Sequence, residues 1–178
     1  RPLTIKRFEL EAMKLQQLLE LKFLEMSSSL GVQDDEIMIR TKEVMDVANS
    51  TFSARGRNVK LISSGEASCL ALSKLLNEKK IANVVAIDER TARLLCEKPE
   101  NLEKLLQKKM HTSIKPNRAN YDFFKEFKII RSTELIYVAY KKKIVKLKNQ
   151  NVLDALLYAL KFKGCSISEQ EIREMKAI

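Results

Sequence analysis

The chain has 178 residues and a mass of 20.5 kDa, which fits one domain, or one domain with an insertion. Apolar residues make up 45% of it and charged residues 31%, and no apolar run approaches the roughly 20 residues of a membrane span. Thirty-three Lys and Arg residues against 23 Asp and Glu residues give a net charge of +10, which favours attraction to polyanions such as nucleic acids.

The chain is predicted to begin with two helices. Residues 4–26 lack Gly and Pro and are rich in good helix formers, and residues 27–31 end that helix. A second helix is predicted over about 33–53, with Gly56 closing it. Because the chain opens on Arg1 instead of an initiator Met and immediately enters a helical pattern, we expect an N-terminal segment to precede it.

From residue 59 onward, short apolar runs alternate with helices. The apolar runs are VKLIS (59–63), NVVAI (83–87) and KII (128–130), and the helices that follow them are predicted over about 65–79, 89–97 and 133–142. This alternation is typical of a parallel sheet covered by helices on both faces. We therefore predict an α/β fold with a three-layer, Rossmann-like parallel sheet, completed by helices at about 149–162 and 168–177.

Residues 98–127 interrupt this alternation and are predicted to form an insertion within the single domain, with a helix over 100–110. The insertion carries four cations and an aromatic residue, namely Lys108, Lys109, Lys115, Arg118 and Tyr121. A flexible basic segment with an aromatic side chain can bind single-stranded RNA through backbone attraction and base stacking. The alternative is a packed or exposed elaboration whose charges serve only solubility.

The cysteines and the histidine suggest no metal site of their own. Cys69, Cys96 and Cys165 are too widely spaced for a zinc knuckle or a CxxC site. Their odd number and mostly apolar neighbours favour buried free thiols in a reducing cytoplasm. His111 lies in a polar stretch without a triad partner nearby, so we expect it to be a surface residue.

Acidic or hydroxyl residues follow every predicted strand. They lie in the segments Ser64-Gly65-Glu66, Asp88-Glu89-Arg90 and Arg131-Ser132-Thr133-Glu134. Ligands of open parallel sheets bind beyond the carboxyl ends of the strands, so we expect these side chains to share one edge. A hard divalent cation such as Mg²⁺ or Mn²⁺ would offset the repulsion between Glu66 and Asp88 and activate a bound water. Equally, Ser63 and Glu66 have the spacing of a capping box, and Asp88 could cap its own helix.

Four segments resemble motifs of the PIN domain family, in particular the branch of predicted PIN-type nucleases related to VapC toxins. They are SSGEASCLALSKLL (63–76), VVAIDERTARLLC (84–96), IIRSTELIYVAYKKKIV (129–145) and LKFKGCSISEQEI (160–172). The second resembles a strand followed by the family's DErxAR motif, and the fourth resembles its Gly-x-x-Ile-Ser ending. In the third, Ser132 stands where the family has Gly, and Thr133 matches the family's Thr.

The resemblance implies a PIN-like fold and a divalent-metal-dependent endoribonuclease that hydrolyses RNA phosphodiester bonds. It implies that Glu66 and Asp88 are catalytic residues that bind Mg²⁺ or Mn²⁺. Thr133, together with Ser132, would support these ligands or contact the phosphate. RNA is the implied partner, and a homodimer or an antitoxin-like protein partner is compatible with the resemblance.

The N-terminal part of the resemblance concerns a second acidic position and a missing strand. The segment RPLTIKRFELEA (1–12) resembles the helix that carries the family's second acidic residue. Glu9 is the match, as a further catalytic ligand or a water-orienting base, and Glu11 is the alternative. The family's first strand, which carries the leading Asp, is expected before Arg1.

A non-catalytic RNA-binding or assembly module on a degenerate PIN fold is the rival interpretation. The absence of the leading Asp from this sequence favours the module, whereas Glu66 and Asp88 favour the nuclease. A short apolar strand ending in Asp before Arg1 would discriminate between the two.

Overall fold

The computed structural model describes residues 6–177 and shows a mixed α/β fold. Its α-helices are α1 (Glu9–Glu20), α2 (Asp34–Asn49), α3 (Ser64–Glu78), α4 (Arg90–Glu97), α5 (Pro99–Met110), α6 (Tyr121–Phe124), α7 (Ser132–Lys141), α8 (Val152–Phe162) and α9 (Glu169–Ala177). Its strands are β1 (Phe52–Ala54), β2 (Arg57–Asn58), β3 (Val85–Ala86), β4 (Ile114–Pro116) and β5 (Ile129–Ile130). Short 3-10 helices cover Lys6–Phe8, Ser27–Leu30 and Arg118–Asn120.

The strands form two small sheets. β1 pairs antiparallel with both β2 and β4. β3 and β5 pair in parallel, with Val85 opposite Ile129 and Ala86 opposite Ile130. The mixed α/β class is therefore confirmed, although residues 6–177 contain one parallel pair of strands and no broad parallel sheet.

Residues 59–63, which we predicted as the first parallel strand, join neither sheet in the described part of the chain. The backbone N–H groups of Leu61 and Ile62 donate to Oδ1 of Asn49 at 2.7 and 3.4 Å. A side chain of α2 thus takes the place of a neighbouring strand. Both residues are buried, so the apolar run identified a core segment but the strand assignment was wrong.

The second predicted helix ends earlier than expected because the chain turns into a hairpin. α2 stops at Asn49, and β1 and β2 follow. Arg55 and Gly56 have left-handed backbone φ angles of +50° and +76°, between the paired residues Ala54 and Arg57. Two consecutive residues with positive φ make the tight turn that antiparallel hairpins favour. Gly56 therefore closes the hairpin and not the helix, which corrects the prediction.

The first predicted helix is also shorter than expected, and α1 is mostly exposed. It ends at Glu20, and Lys22 then takes a left-handed φ of +57°. Ala12 is the one residue of α1 whose side chain is buried. Residues 1–5, which include the predicted start of this helix, lie outside the described residues.

The main core is built where α2 packs along α3. The facing helices contribute small and branched side chains, namely Val44, Ala48, Ala67, Leu70 and Ala71, all fully buried. The core continues through α4 and the parallel pair, where Val85, Ile87 and Leu95 are buried. Burial of each large apolar side chain contributes about 1.5–3 kcal/mol, so this core supports the ends of β3 and β5.

Residues 98–127 belong to this same core. Their buried side chains are Leu102, Leu106, Ile114, Tyr121, Phe124 and Phe127. The rings of Tyr121 and Phe52 lie 6.0 Å apart, and β4 pairs with β1. The helix predicted over 100–110 is confirmed as α5. The segment is therefore packed into the fold, which agrees with the packed alternative and not with a flexible segment.

The last three helices form a second cluster. Its buried residues are Leu153, Leu157, Ile167 and Ile172, with Tyr137 and Tyr140 of α7 packed against them. Gly164, with a φ of +105°, allows the turn between α8 and α9. The backbone N–H and hydroxyl of Ser168 donate to Glu171 at 2.8 Å, and these bonds form a capping box at the start of α9.

Candidate active site

Asp88 lies directly beyond the parallel strand pair and binds the start of α7. The backbone N–H of Ile87 donates to the carbonyl of Ile130 at 3.0 Å, which aligns the ends of β3 and β5. As a result, the backbone N–H of Ser132 donates to Oδ1 of Asp88 at 2.8 Å, and its hydroxyl donates to Oδ2 at 2.7 Å. The carboxylate therefore caps the N-terminus of α7, where negative charge is stabilised.

The turn between α8 and α9 closes over the other side of Asp88. The thiol of Cys165 donates to Oδ1 of Asp88 at 3.1 Å, and the backbone N–H of Ser166 donates to the carbonyl of Asp88 at 3.4 Å. Oγ1 of the fully buried Thr133 lies 4.0 Å from Sγ of Cys165. The structure thus brings together Asp88, Ser132 and Thr133, which the sequence placed at one edge, and adds Cys165.

These contacts keep Asp88 ionised. Burial raises the pKa of Asp88, but hydrogen bonds from Ser132 and Cys165 and the positive charge of Arg131 outweigh it and hold the pKa below its usual value. Burial and the charge of Asp88 raise the pKa of the Cys165 thiol. The pair is therefore a carboxylate that accepts a hydrogen bond from a neutral thiol.

Arg131 connects this site to α9. Its side chain, which is only 11% exposed, makes ion pairs with Glu134 at 2.9 Å and with Glu171 at 2.7 Å. Burial raises the pKa of Glu171, but hydrogen bonds from Ser168 and Arg131 outweigh it and lower the pKa to about 2. The network ties the starts of α7 and α9 together on either side of Asp88.

Glu66 lies at the start of α3, in a different set of contacts. The backbone N–H and the hydroxyl of Ser63 both donate to Oε2 of Glu66, which forms the capping box that the spacing allowed. Glu66 also lines a cavity of about 430 Å³, together with Glu89, Lys60 and Lys109. Glu66 and Glu89 therefore line the same cavity, and Asp88 is not among the residues that line it.

Asp88 does not cap its own helix, α4, which the sequence had left open as an alternative to cation binding. The side chain of Glu89, and not that of Asp88, caps α4, because its Oε2 accepts from the backbone N–H of Ala92 at 2.7 Å. Asp88 caps α7 instead, 44 positions further along the chain. Residue spacing within one helix could not predict this contact, because it joins the loop after β3 to the helix that follows β5.

Glu66 and Asp88, the residues predicted to bind a cation, both have acceptor positions that their hydrogen bonds leave free. A carboxylate offers about four lone-pair positions, so Asp88 keeps acceptor capacity beside its hydrogen bonds, and the contacts of Glu66 use Oε2. Within residues 6–177, however, no three or more His, Cys, Asp or Glu side chains are grouped to hold a metal ion. The described chain supplies Glu66 and Asp88 as acidic positions but does not assemble a closed set of ligands.

The remaining predicted site residues are distributed over the surface. Glu9 begins α1 and is exposed, as is Glu11, and no hydrogen bond among residues 6–177 links Glu9 to Glu66 or Asp88. Lys109 lines the cavity of Glu66. Lys108 is exposed on the last turn of α5.

The other two cations of residues 98–127 lie elsewhere. Lys115 is exposed on β4, and Arg118 makes a long, exposed ion pair of 4.0 Å with Glu103. Tyr121, which we expected to stack on bases, is buried against Phe52 and is not available for stacking, so that expectation was wrong.

Cys96 and Cys165 are buried free thiols as predicted, whereas Cys69 is free and exposed. His111 is exposed, as expected.

Sequence reasoning missed Arg131 and Cys165 as neighbours of Asp88, and Glu171 as the ion-pair partner of Arg131. The apolar pattern around Cys165 indicated burial but nothing about its contact with Asp88. Arg131 and Glu171 each flank a recognised helix start, and only their ion pair across helices shows that they act together.

None of the helices within residues 6–177 has the length and apolar character needed to cross a membrane. Comparisons with protein-family models, with curated proteins and with solved structures found no match to the chain.

Proposed function

We propose that the chain is a PIN-like domain that hydrolyses RNA phosphodiester bonds with the help of Mg²⁺ or Mn²⁺. The observation that carries the proposal is the position of Asp88. It is an ionised carboxylate at the carboxyl end of a parallel strand pair, and it accepts hydrogen bonds from the hydroxyl of Ser132 and the thiol of Cys165. Ligand sites of α/β folds lie at this end of the strands.

In this proposal each acidic residue has a distinct task. Asp88 would bind the cation with the lone pairs that its hydrogen bonds leave free, while Ser132 and Cys165 fix its orientation. Glu66 would contribute a second carboxylate from the start of α3, and Glu9 a third from α1. The cation, when bound, would lower the pKa of a water and stabilise charge on the phosphate.

The PIN-like three-layer architecture is part of the same proposal. The parallel pair β3–β5 would form its centre, and the contacts of α3 with β3 and of α4 with β5 are consistent with helices that flank a sheet. A homodimer and an antitoxin-like partner follow from the family resemblance alone.

A non-catalytic RNA-binding module is the second candidate, and a specific observation favours it. Glu66 and Asp88 both bind helix N-termini, a structural task that needs no metal. The described residues also group no three potential ligands. The basic surface would then bind RNA without cleaving it.

The experiment that separates the two candidates compares the chain with its Asp88→Asn variant in a cleavage assay on single-stranded RNA with Mn²⁺. The nuclease predicts cleavage by the parent and at least a hundredfold loss in the variant. The amide of Asn would also turn a donor toward the start of α7 or toward Cys165, so unfolding should be followed in parallel and a loss of about 1–2 kcal/mol is expected.

RNA binding without Mn²⁺-dependent cleavage by the parent would favour the module. Equal cleavage by the parent and the folded Asp88→Asn variant would exclude Asp88 as a ligand. The Ser68→Ala variant is a matched control, since Ser68 is near Glu66 on α3 and its hydroxyl only donates to the carbonyl of Gly65 in its own helix.

A further inference from the structure

A basic cleft lies beside the tip of the β1–β2 hairpin, with a volume of about 680 Å³. Three of the residues that line it are cations, Arg55, Arg57 and Lys60. The side chains of Asn58 and Thr112 add polar groups, and no acidic residue lines the cleft. We call this the hairpin cleft. Its lining therefore attracts anions.

The three cations of the hairpin cleft are free to bind a partner. Arg55, Arg57 and Lys60 are all exposed, and none of them makes an ion pair with a carboxylate within residues 6–177. By contrast, Arg40, Arg93 and Arg131 are engaged in ion pairs. The hairpin therefore concentrates uncompensated positive charge in one concave place.

The backbone of Arg55 places this side chain at the tip of the hairpin. Its φ of +50° lies in the left-handed region, where side chains with a Cβ cost about 1–2 kcal/mol. The turn type favours Asn, Asp or Gly at this position. Lys80 has a similar φ of +59°, so this conformation fixes the position of the Arg55 side chain at the hairpin tip, and the argument for binding rests on the exposed cations of the hairpin cleft.

The hairpin cleft is adjacent to the cavity that Glu66 lines. Val59, Lys60 and Met110 line both the hairpin cleft and the cavity that contains Glu66 and Glu89. The two cavities are therefore adjacent, with Arg55 and Arg57 lining the first, Glu66 and Glu89 lining the second, and Lys60 lining both. An anionic chain that binds the cations of the hairpin cleft and continues past the shared residues would reach the cavity of Glu66 and Glu89.

We propose that the hairpin cleft binds the phosphodiester backbone of single-stranded RNA and directs it toward Glu66. Arg side chains suit this ligand because the planar guanidinium can donate two parallel hydrogen bonds to one phosphate. Cavities of about 300–1,000 Å³ hold ligands of drug size, which fits a short stretch of one strand and not a duplex. The proposal that the RNA runs toward Glu66 rests on the proposed nuclease function, whereas the proposal that the hairpin cleft binds RNA does not.

The test measures equilibrium binding of a fluorescent single-stranded RNA over a series of salt concentrations, with a chelator present so that cleavage cannot intervene. The variant Arg55→Gln with Arg57→Gln removes two cations of the hairpin cleft. On single strands each neutralised phosphate contributes about −0.7 to the slope of log affinity against log salt. We therefore expect the slope to become shallower by about 1.4 and the affinity at low salt to fall at least tenfold.

Lys79→Gln with Lys80→Gln is the matched control. This pair also removes two charges, and Lys80 has a left-handed φ of +59° like Arg55. Both lysines follow the C-terminus of α3, whose 15 residues place them about 20 Å along the helix from Glu66. Their replacement should leave slope and affinity unchanged. Thermal unfolding of both variants shows that the fold is retained.

An unchanged slope in the hairpin variant, an equal loss in both variants, or tighter binding of duplex RNA than of the single strand would overturn the proposal. The binding measurement tests the hairpin cleft whether or not the chain is a nuclease. Cleavage by the parent together with unchanged binding by the hairpin variant would refute the cleft alone. Selective loss of binding without any cleavage by the parent would support the cleft and refute the nuclease.

Discussion

The thiol of Cys165 lies 3.1 Å from Oδ1 of Asp88, although the two residues are 77 positions apart in the chain. The neighbouring Ser166 reinforces this contact with a backbone hydrogen bond to the carbonyl of Asp88. The turn between α8 and α9 is thereby attached to the loop after β3. The C-terminal helices consequently determine how the candidate catalytic carboxylate is held.

The first prediction concerns this contact. Replacing Cys165 with Ala removes a donor from an ionised acceptor, and we expect the free energy of unfolding to fall by about 1 kcal/mol at neutral pH. Cys165→Ser keeps a donor and should retain most of the stability. The pKa of Asp88 should rise in the Ala variant, because one of the hydrogen bonds that lower it is gone. Chemical denaturation and NMR titration of Asp88 measure the two effects.

The difference in stability between the Cys165→Ser and Cys165→Ala variants should depend on pH, because it depends on the ionisation of Asp88. The pKa of Asp88 is depressed in the folded chain, so its contribution to stability is present above the unfolded value near 3.8 and is lost as the pH falls through the folded value. The part of the Ser–Ala difference that depends on the ionised carboxylate should vanish over that acidic range. Equal stability of the Ser and Ala variants at pH 7 would show that the thiol does not hold Asp88.

Local elements of this fold could be predicted from the sequence. α3, α4 and α7 begin within a residue of their predicted starts, because each combines an apolar periodicity with a polar start signal. The strands of the parallel pair were found for the same reason, as apolar runs between helices. The number of parallel strands was overestimated. In residues 59–63, the backbone N–H groups of Leu61 and Ile62 donate to the side chain of Asn49 and not to a neighbouring strand, and no local sequence pattern predicts such a partner.

The second prediction concerns Glu171 and acid stability. The hydrogen bonds of Ser168 and Arg131 outweigh burial and lower the pKa of Glu171 to about 2 from a usual value of 4.5. Because the folded pKa is depressed, the contribution to stability is complete above pH 4.5 and disappears as the pH falls toward 2. Its side chain is 39% exposed, so solvent screening reduces the effect, and we expect about 1 kcal/mol at neutral pH.

Glu171→Gln should therefore lower the free energy of unfolding at pH 7 and match the parent near pH 2. The matched control is Glu174→Gln on the same helix, where Glu174 is exposed and accepts a hydrogen bond from Gln170 that a Gln side chain can also accept. The control should follow the parent at every pH. A Glu171→Gln curve parallel to that of the parent from pH 2 to 7 would contradict the role of the ion pair with Arg131.

The candidate site was predictable only in part, and the reason is physical. Ser132 contacts Asp88 directly, and Thr133 lies next to Cys165, which itself contacts Asp88, because parallel strands end at one edge. A carboxylate at a helix start, however, has the same sequence pattern whether it caps the helix, binds a cation or does both. Glu66 shows this ambiguity most clearly, since its capping box is formed and it also faces a cavity.

The third prediction separates these two roles of Glu66. A capping box accepts Gln as well as Glu at this position, so Glu66→Gln should keep the hydrogen bonds with Ser63 and change stability by less than about 0.5 kcal/mol. Glu66→Ala removes the cap and should cost about 1 kcal/mol. If Glu66 also binds the cation, both variants should lose Mn²⁺-dependent cleavage to a similar degree, although only one of them loses stability. Parallel cleavage and denaturation measurements give the answer. Full cleavage by a stable Gln variant would assign Glu66 to the helix cap alone and leave Asp88 as the single acidic ligand supplied by the described residues of the strand edge.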